Sequence, residues 1–240
     1  KQQLPTYFYR RSWDGDIDVD HPNPFEIDHN IPNSQACKFV DRHQPLEELH
    51  DLLQDNTIVA ITDRTGKGGV GKTELAIQYS WYKLEDYPGG CCWLYFKEVD
   101  IVTQLSEFAI VNDFPGFNIP EKLTIASKLL YCWKKWQPGK VLLVFDNVTD
   151  IEQIQDYLPP MGSRFRVLIT TRSLTLPYPS LPLEGLPVTA AVELFGKLLG
   201  EELVQKELEF AKKLCLSLDC IPLELYQIST KVQLSKLGST

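Results

Sequence analysis

The chain has 240 residues, 43% hydrophobic and 23% charged, the balance of a globular protein that buries roughly 70–75% of its unfolded surface without staples. Its formal net charge of −8 argues against broad electrostatic binding to nucleic acid or to an anionic membrane. No run approaches the roughly 18 consecutive apolar residues of a membrane-spanning helix, and the start, Lys1-Gln2-Gln3-Leu4-Pro5, has no apolar signal core.

Residues 1–36 are expected to be a peripheral acidic arm or linker. The stretch Trp13-Asp14-Gly15-Asp16-Ile17-Asp18-Val19-Asp20, followed by His21-Pro22-Asn23-Pro24, is turn-rich and lacks a helical period. Alternating aspartates invite a calcium-loop reading, but the glycine follows the first Asp instead of standing where an EF-hand turns. Regular structure begins at Pro45. Leu46, Leu49, Leu52 and Leu53 form one stripe of a helix over 45–54, with proline in its first turn. Ile58-Val59-Ala60-Ile61-Thr62 predicts the first strand, and Glu74 begins a helix that runs to about 86 and stops at Pro88-Gly89-Gly90.

A strand over 91–97 and a helix over about 99–112 follow. A further helix over 122–136 carries Leu123, Ala126, Leu129, Leu130 and Trp133 and stops at Pro138-Gly139. Residues 141–145 and 165–170 read as buried strands with a short helix, 151–157, between them. Leu181-Pro182-Leu183 is the weakest strand candidate. This alternation predicts an α/β fold with a five-stranded, mainly parallel sheet flanked by helices. Beyond 188 only helices are expected, over 189–199, 201–217 and 222–231. The division is therefore an α/β domain over 37–186 and a small helical subdomain over 187–240.

The six cysteines (Cys37, Cys91, Cys92, Cys132, Cys215 and Cys220) contain no C-x-x-C pair, and all four histidines fall in the first fifty residues. A zinc site is not expected, and reduced thiols point to the cytoplasm.

Between the first strand and its helix lies Gly66-Lys67-Gly68-Gly69-Val70-Gly71-Lys72-Thr73, which fits the phosphate-binding pattern G-x-x-x-x-G-K-[ST]. Glycines let backbone N–H groups turn onto a phosphate where a Cβ would obstruct. Lys72 would reach the β- and γ-phosphates, the Thr73 hydroxyl would ligate Mg²⁺, and the helix starting near Glu74 adds its positive end. A metal-side partner follows at Asp146, delivered by strand 141–145 to the carboxyl-end crevice where open α/β sheets bind ligands. Asn147 comes next; an amide can orient water but cannot accept its proton at neutral pH, so hydrolysis is expected to be slow. Asn147 also reads as a cap for the helix that follows. Arg172, after Ile169-Thr170-Thr171, is placed to bridge a γ-phosphate.

Together these residues resemble the NB-ARC nucleotide-binding domain of STAND-class signalling ATPases, over about 37–235, with bacterial, particularly cyanobacterial, members nearest in wording. Residues 66–73 look like the family's GMGGVGKT, Leu142-Leu143-Val144-Phe145-Asp146-Asn147-Val148 like its LLVLDDV, and residues 163–172 like its GSRIIITTR. Lys38-Phe39-Val40-Asp41-Arg42 resembles FVGRE, and Cys220-Ile221-Pro222-Leu223-Glu224-Leu225 resembles GLPLAL. The resemblance implies ADP or ATP with Mg²⁺. Phe39, Val40 and Arg42 would lie near the adenine, with Pro222 and Leu223 on the base. It implies a switch in which ADP holds the subdomains closed, ATP opens them, and the opened protein self-associates within a longer signalling chain. The winged-helix module, sensor repeats and effector do not follow, so a fragment or a reduced protein is expected.

Asp41, His43, Lys67, Asn147 and Cys220 depart from the family wording, and bear on hydrolysis or base recognition more than on phosphate binding. Two other readings stay open. Lys67 also fits the deviant loop of partitioning-type ATPases, in which that lysine reaches a dimer partner's phosphate. Asn147 also fits a scaffold that holds ADP without turnover.

Overall fold

The computed structural model describes residues 27–34, 42–96, 100–115, 117–120, 122–160, 162 and 164–237. The acidic stretch 13–20 and the expected base contacts Phe39 and Val40 lie outside the described residues.

Helix α1 (His43–Asp55) buries Leu46, Leu49 and Leu53 and leads into β1 (Ile58–Asp63), whose six residues are all buried. Helix α2 (Lys72–Tyr82) follows the glycine loop, and β2 (Cys91–Tyr95) precedes α3 (Ile101–Val111) and α4 (Ile125–Lys135). Then come β3 (Val141–Val148), a 3₁₀ turn over Glu152–Tyr157, β4 (Phe165–Thr171) and β5 (Ser180–Leu183). Four helices close the described chain: α5 (Val188–Leu199), α6 (Glu201–Lys206), α7 (Leu208–Ser217) and α8 (Pro222–Leu237).

The sheet has five strands in the order β2-β3-β4-β1-β5, and every pairing is parallel. All carboxyl ends therefore open on one rim. The continuous apolar runs of β1, β3 and β4 follow from burial on both faces. Ile58 and Ala60 join Leu143 and Phe145 under α3 and α4. Val59 and Ile61 join Leu142 and Val144 under α1 and α2. The first layer holds an aromatic cluster in which Phe108 stacks on Trp136 at 5.3 Å, while the Trp136 indole N–H donates to the Gly89 carbonyl at 2.9 Å. Helices α5 to α8 build a third core from Leu186, Ala191, Phe195, Val204, Ala211, Cys215 and Leu225.

Several expectations change. Residues 27–34, expected to be peripheral, close the β2 edge: Ile27 and Ile31 are buried, and His29 pairs in parallel with Cys91. The Asn30 amide then mimics a strand residue, accepting from Trp93 N at 2.6 Å and donating to Trp93 O at 2.9 Å. Gln104 does the same for Tyr95, with both bonds at 2.8 Å. The outward backbone groups of this edge are thus satisfied without another strand. Helix α4 starts at Ile125, not 122, because the Thr124 hydroxyl caps the Ser127 N–H; Leu123 and Leu130 are left exposed. Asn147 caps no helix. β3 runs on to Val148 through a bulge in which Asn147 takes φ 62°, a left-handed conformation that Asn tolerates. The weakest strand candidate is real: β5 pairs with β1 as a four-residue edge, blunted by Pro182. Among the described residues, no helix is long and apolar enough to cross a membrane.

Candidate functional site

The carboxyl rim of the sheet carries a cleft of about 670 Å³. Its floor is the loop between β1 and α2, where Gly66, Gly68, Gly69 and Gly71 have φ of 70°, 77°, 74° and 99°. L side chains rarely adopt these angles, which explains the glycine density. A Cβ on Gly68 would stand 3.3 Å from the Arg172 guanidinium. One on Gly69 would stand 2.7 Å from Leu223 Cβ. The loop is therefore wedged between the end of β4 and the start of α8.

Beneath it, the Asp63 carboxylate, at 0% exposure, is ringed by donors. Its Oδ1 accepts from Thr65 N at 2.9 Å, Thr65 Oγ1 at 2.7 Å and Gly66 N at 3.1 Å. Its Oδ2 accepts from Gly68 N at 2.8 Å and faces Lys72 Nζ at 3.4 Å. Burial pushes this carboxyl up, but the Thr65 hydroxyl, the Lys72 charge and the Gly68 and Thr65 N–H groups together hold it below the usual value.

The two residues expected on the metal side lie in direct contact. Thr73 Oγ1 donates to Asp146 Oδ1 at 2.9 Å. Thr170 Oγ1 donates to the same oxygen at 2.6 Å and accepts from Asn147 N at 2.9 Å. Asp146 is 6% exposed, so the strand ends fix its orientation. A hydroxyl beside a carboxylate is an oxygen donor set suited to Mg²⁺.

Gly69, Gly71, Lys72, Thr73, Glu74, Asp146, Asn147, Arg172, Pro222 and Leu223 all line this cleft. The Glu74 carboxylate accepts from Ser34 Oγ at 2.6 Å and Gln78 Nε2 at 2.7 Å. Gly66, Gly68, Val70 and Arg42 are not among the lining residues. Val70 is wholly buried in the α2-side core. Arg42, expected beside the adenine, instead donates to the Val70 carbonyl at 3.1 Å and the Glu184 carbonyl at 2.8 Å. It staples the loop to the end of β5.

Sequence reasoning missed Asp63 and Thr170 as site builders, along with the apolar wall of Leu194, Leu198 and Tyr226 and the facing Tyr95. Thr170 was visible inside the strand-end motif. Asp63 carried only a weak signal, a charged residue closing an otherwise apolar strand.

The helical segment grips the loop directly. Leu223 N donates to Gly69 O at 3.4 Å and Lys67 pairs with Asp219, while Leu186 N, just beyond β5, donates to Cys220 O at 2.9 Å. Asp219 and Cys220 take φ of 49° and 52° in succession, a turn that favours glycine.

No family model matches the chain. It is 27% identical over 189 residues to the regulatory protein AfsR of Streptomyces coelicolor, covering 72% of this chain and 19% of that one. It is 25% identical over 245 residues to a nucleotide-binding leucine-rich repeat (NLR)-like protein of Hyaloscypha variabilis, covering 89% and 24%. The chain thus spans about a fifth to a quarter of the length of these relatives. Among solved structures, it superposes on a Walker-type ATPase of Pyrococcus abyssi with a TM-score of 0.51 and 12% identity, covering 82% of this chain and 69% of that one. In fold, this chain is an α/β protein whose five-stranded parallel sheet with flanking helices matches that of a Walker-type ATPase, with a helical segment docked on its glycine loop.

Proposed function

We propose that this chain is the nucleotide-binding module of a signalling ATPase. It binds ADP or ATP with Mg²⁺ and acts as a switch for a longer protein. The observation that carries this reading is the convergence of Thr73 and Asp146 at 2.9 Å beside a loop of left-handed glycines that the α8 start overlies. In this reading Gly69, Gly71, Lys72 and Thr73 hold the phosphates, and Thr73 with Asp146 holds the metal. Arg172 reads the γ-phosphate, and Pro222, Leu223 and the α5 leucines enclose the base. The bound Mg²⁺ would neutralise phosphate charge.

The unit 37–186 would supply the floor and 187–240 the lid, whose contacts with the loop differ between ADP and ATP, as any switch requires. The regulatory and NLR-like relatives support a signalling role, with further domains and self-association on activation as the partners. Nucleic acid and membrane are not partners in this reading, given the net charge of −8.

Asn147 favours a second reading. It faces the cleft from an exposed bulge position, and its amide cannot act as a general base. Turnover is therefore slow, or absent in a module that keeps ADP as a structural ligand. The deviant-loop reading fits less well, because Lys67 is engaged by Asp219 of its own chain.

The experiment is to denature the purified protein and identify what it releases, then titrate stripped protein with ADP and ATP in Mg²⁺. Co-purified ADP and saturable binding are expected; the absence of both would sink the reading. Turnover that is lost in Asp146→Ala and raised in Asn147→Asp separates the slow ATPase from the silent module.

A further inference from the structure

Asp63 is no part of the glycine-lysine signature, yet it is the most enclosed charged group in the site. A carboxylate at 0% exposure is costly unless paired and hydrogen-bonded. Here both oxygens are used. The N–H groups of Thr65, Gly66 and Gly68 and the Thr65 hydroxyl lie 2.7 to 3.1 Å away, with the Lys72 ammonium at 3.4 Å. The loop is thus divided. Its first half is satisfied by a side chain of the protein, while Gly69, Gly71, Lys72 and Thr73 face the cleft.

We propose that Asp63 is a positioning residue whose carboxylate serves as a built-in anion, shaping residues 65–68 and holding the Lys72 ammonium until a phosphate draws it away. The inference rests on the nucleotide-binding reading above and adds a residue to it. Two features make the carboxylate specific. An amide oxygen could serve either Oδ1's donors or Gly68, but not both, and its NH₂ would face donors. At 3.4 Å the Lys72 contact is longer than a good charge-assisted bond of about 2.7–2.9 Å, so the lysine is tethered by charge, not locked.

Two opposite effects of the Asp63 charge follow. With Lys72 present, the carboxylate orders the loop and presents the ammonium. With Lys72 removed, the same charge repels an incoming phosphate with no cation between them.

The test titrates wild type, Asp63→Asn, Lys72→Met and the double variant with N-methylanthraniloyl-ADP in Mg²⁺, with unfolding temperature recorded for each. Wild type should bind saturably, and Asp63→Asn should bind at least about tenfold more weakly. Relative to Lys72→Met alone, the double variant should lose clearly less than that tenfold, because the repulsion relieved offsets the loss of loop order. An equal loss from Asp63→Asn in both backgrounds would make Asp63 a plain structural acceptor and overturn the proposal, as would wild-type affinity in Asp63→Asn. If Asp63→Asn fails to fold, Asp63→Ser, which removes the charge and keeps a small acceptor, is carried through the same cycle under the same criteria. No binding by wild type overturns the nucleotide reading and this proposal together. Binding with additive losses overturns this proposal alone.

Discussion

The floor and the lid of the cleft are built on different principles. In the floor, polar groups satisfy one another at short range: Asp63 with its ring of donors, Thr73 and Thr170 on Asp146, and Thr170 on the Asn147 N–H. The lid meets the floor mainly through apolar and backbone contacts. Ile221 is buried in the α2-side core, and Leu223 lies against Gly69. Leu223 N donates to Gly69 O at 3.4 Å, Leu186 N donates to Cys220 O at 2.9 Å, and one exposed ion pair joins Lys67 to Asp219. Its own turn holds two non-glycine residues in left-handed conformations, each of which costs on the order of 1–2 kcal/mol. The floor is knit by side-chain polar groups, whereas the lid rests on it through apolar packing and backbone contacts, so the two can be perturbed separately.

The strongest way to break that asymmetry is to disturb the close approach at the glycine loop. Gly69→Ala adds a methyl 2.7 Å from Leu223 Cβ at a residue with φ 74°. Backbone strain and overpacking together should cost about 2–4 kcal/mol. Gly71→Ala is the control, since its φ is 99° but nothing lies within 4 Å of the added methyl; it should show only the backbone cost of about 1–2 kcal/mol. Thermal unfolding measures both. If the lid contact matters, Leu223→Ala should recover part of the Gly69→Ala loss and none of the Gly71→Ala loss. Equal losses at Gly69 and Gly71 would mean that the lid does not rest on the loop.

The floor answers to a smaller, polar change. Thr170→Val keeps the shape but removes the hydroxyl that donates to Asp146 at 2.6 Å and accepts from Asn147 N at 2.9 Å. Leaving that N–H without its partner should cost about 1–3 kcal/mol. It should also loosen the bulge that presents Asn147, seen as faster amide exchange at Asn147 and Val148 with the lid contacts unchanged. Unaltered exchange there would show that the bulge is held by the strand backbone alone.

The same asymmetry explains what was legible in the sequence. The floor was readable because the glycine-lysine pattern is a fixed set of residue types at fixed spacing, and because strands buried on both faces are continuously apolar, as in Ile58-Val59-Ala60-Ile61 and Val141-Leu142-Leu143-Val144. Asp63 escaped because its partners are backbone N–H groups, which have no sequence signature. The cap reading of Asn147 failed because Asn suits both a helix cap and a left-handed bulge, and only the pairing of β3 with β4 decides between them. Residues 27–34 were missed for a similar reason: Asn30 completes the edge with a side-chain amide, so the segment shows no alternation of its own. On the lid side, the helix expected over 201–217 breaks at Glu207, where no glycine or proline announces it.

The mildest change addresses the lid's charged contact. Lys67 and Asp219 are 57% and 50% exposed, and a pair so open to solvent contributes little to stability. Lys67→Met should therefore leave the unfolding temperature nearly unchanged. Its effect belongs to closure, because it removes a link between the phosphate loop and the α7–α8 turn without touching Asp63, Thr73 or Asp146. Release of labelled ADP should quicken by up to about fivefold, and the difference should shrink in high salt as the wild-type pair is screened. Abolished binding or turnover would place the Lys67 ammonium on a phosphate instead of on the lid, and would revive the reading in which this lysine serves a partner's site.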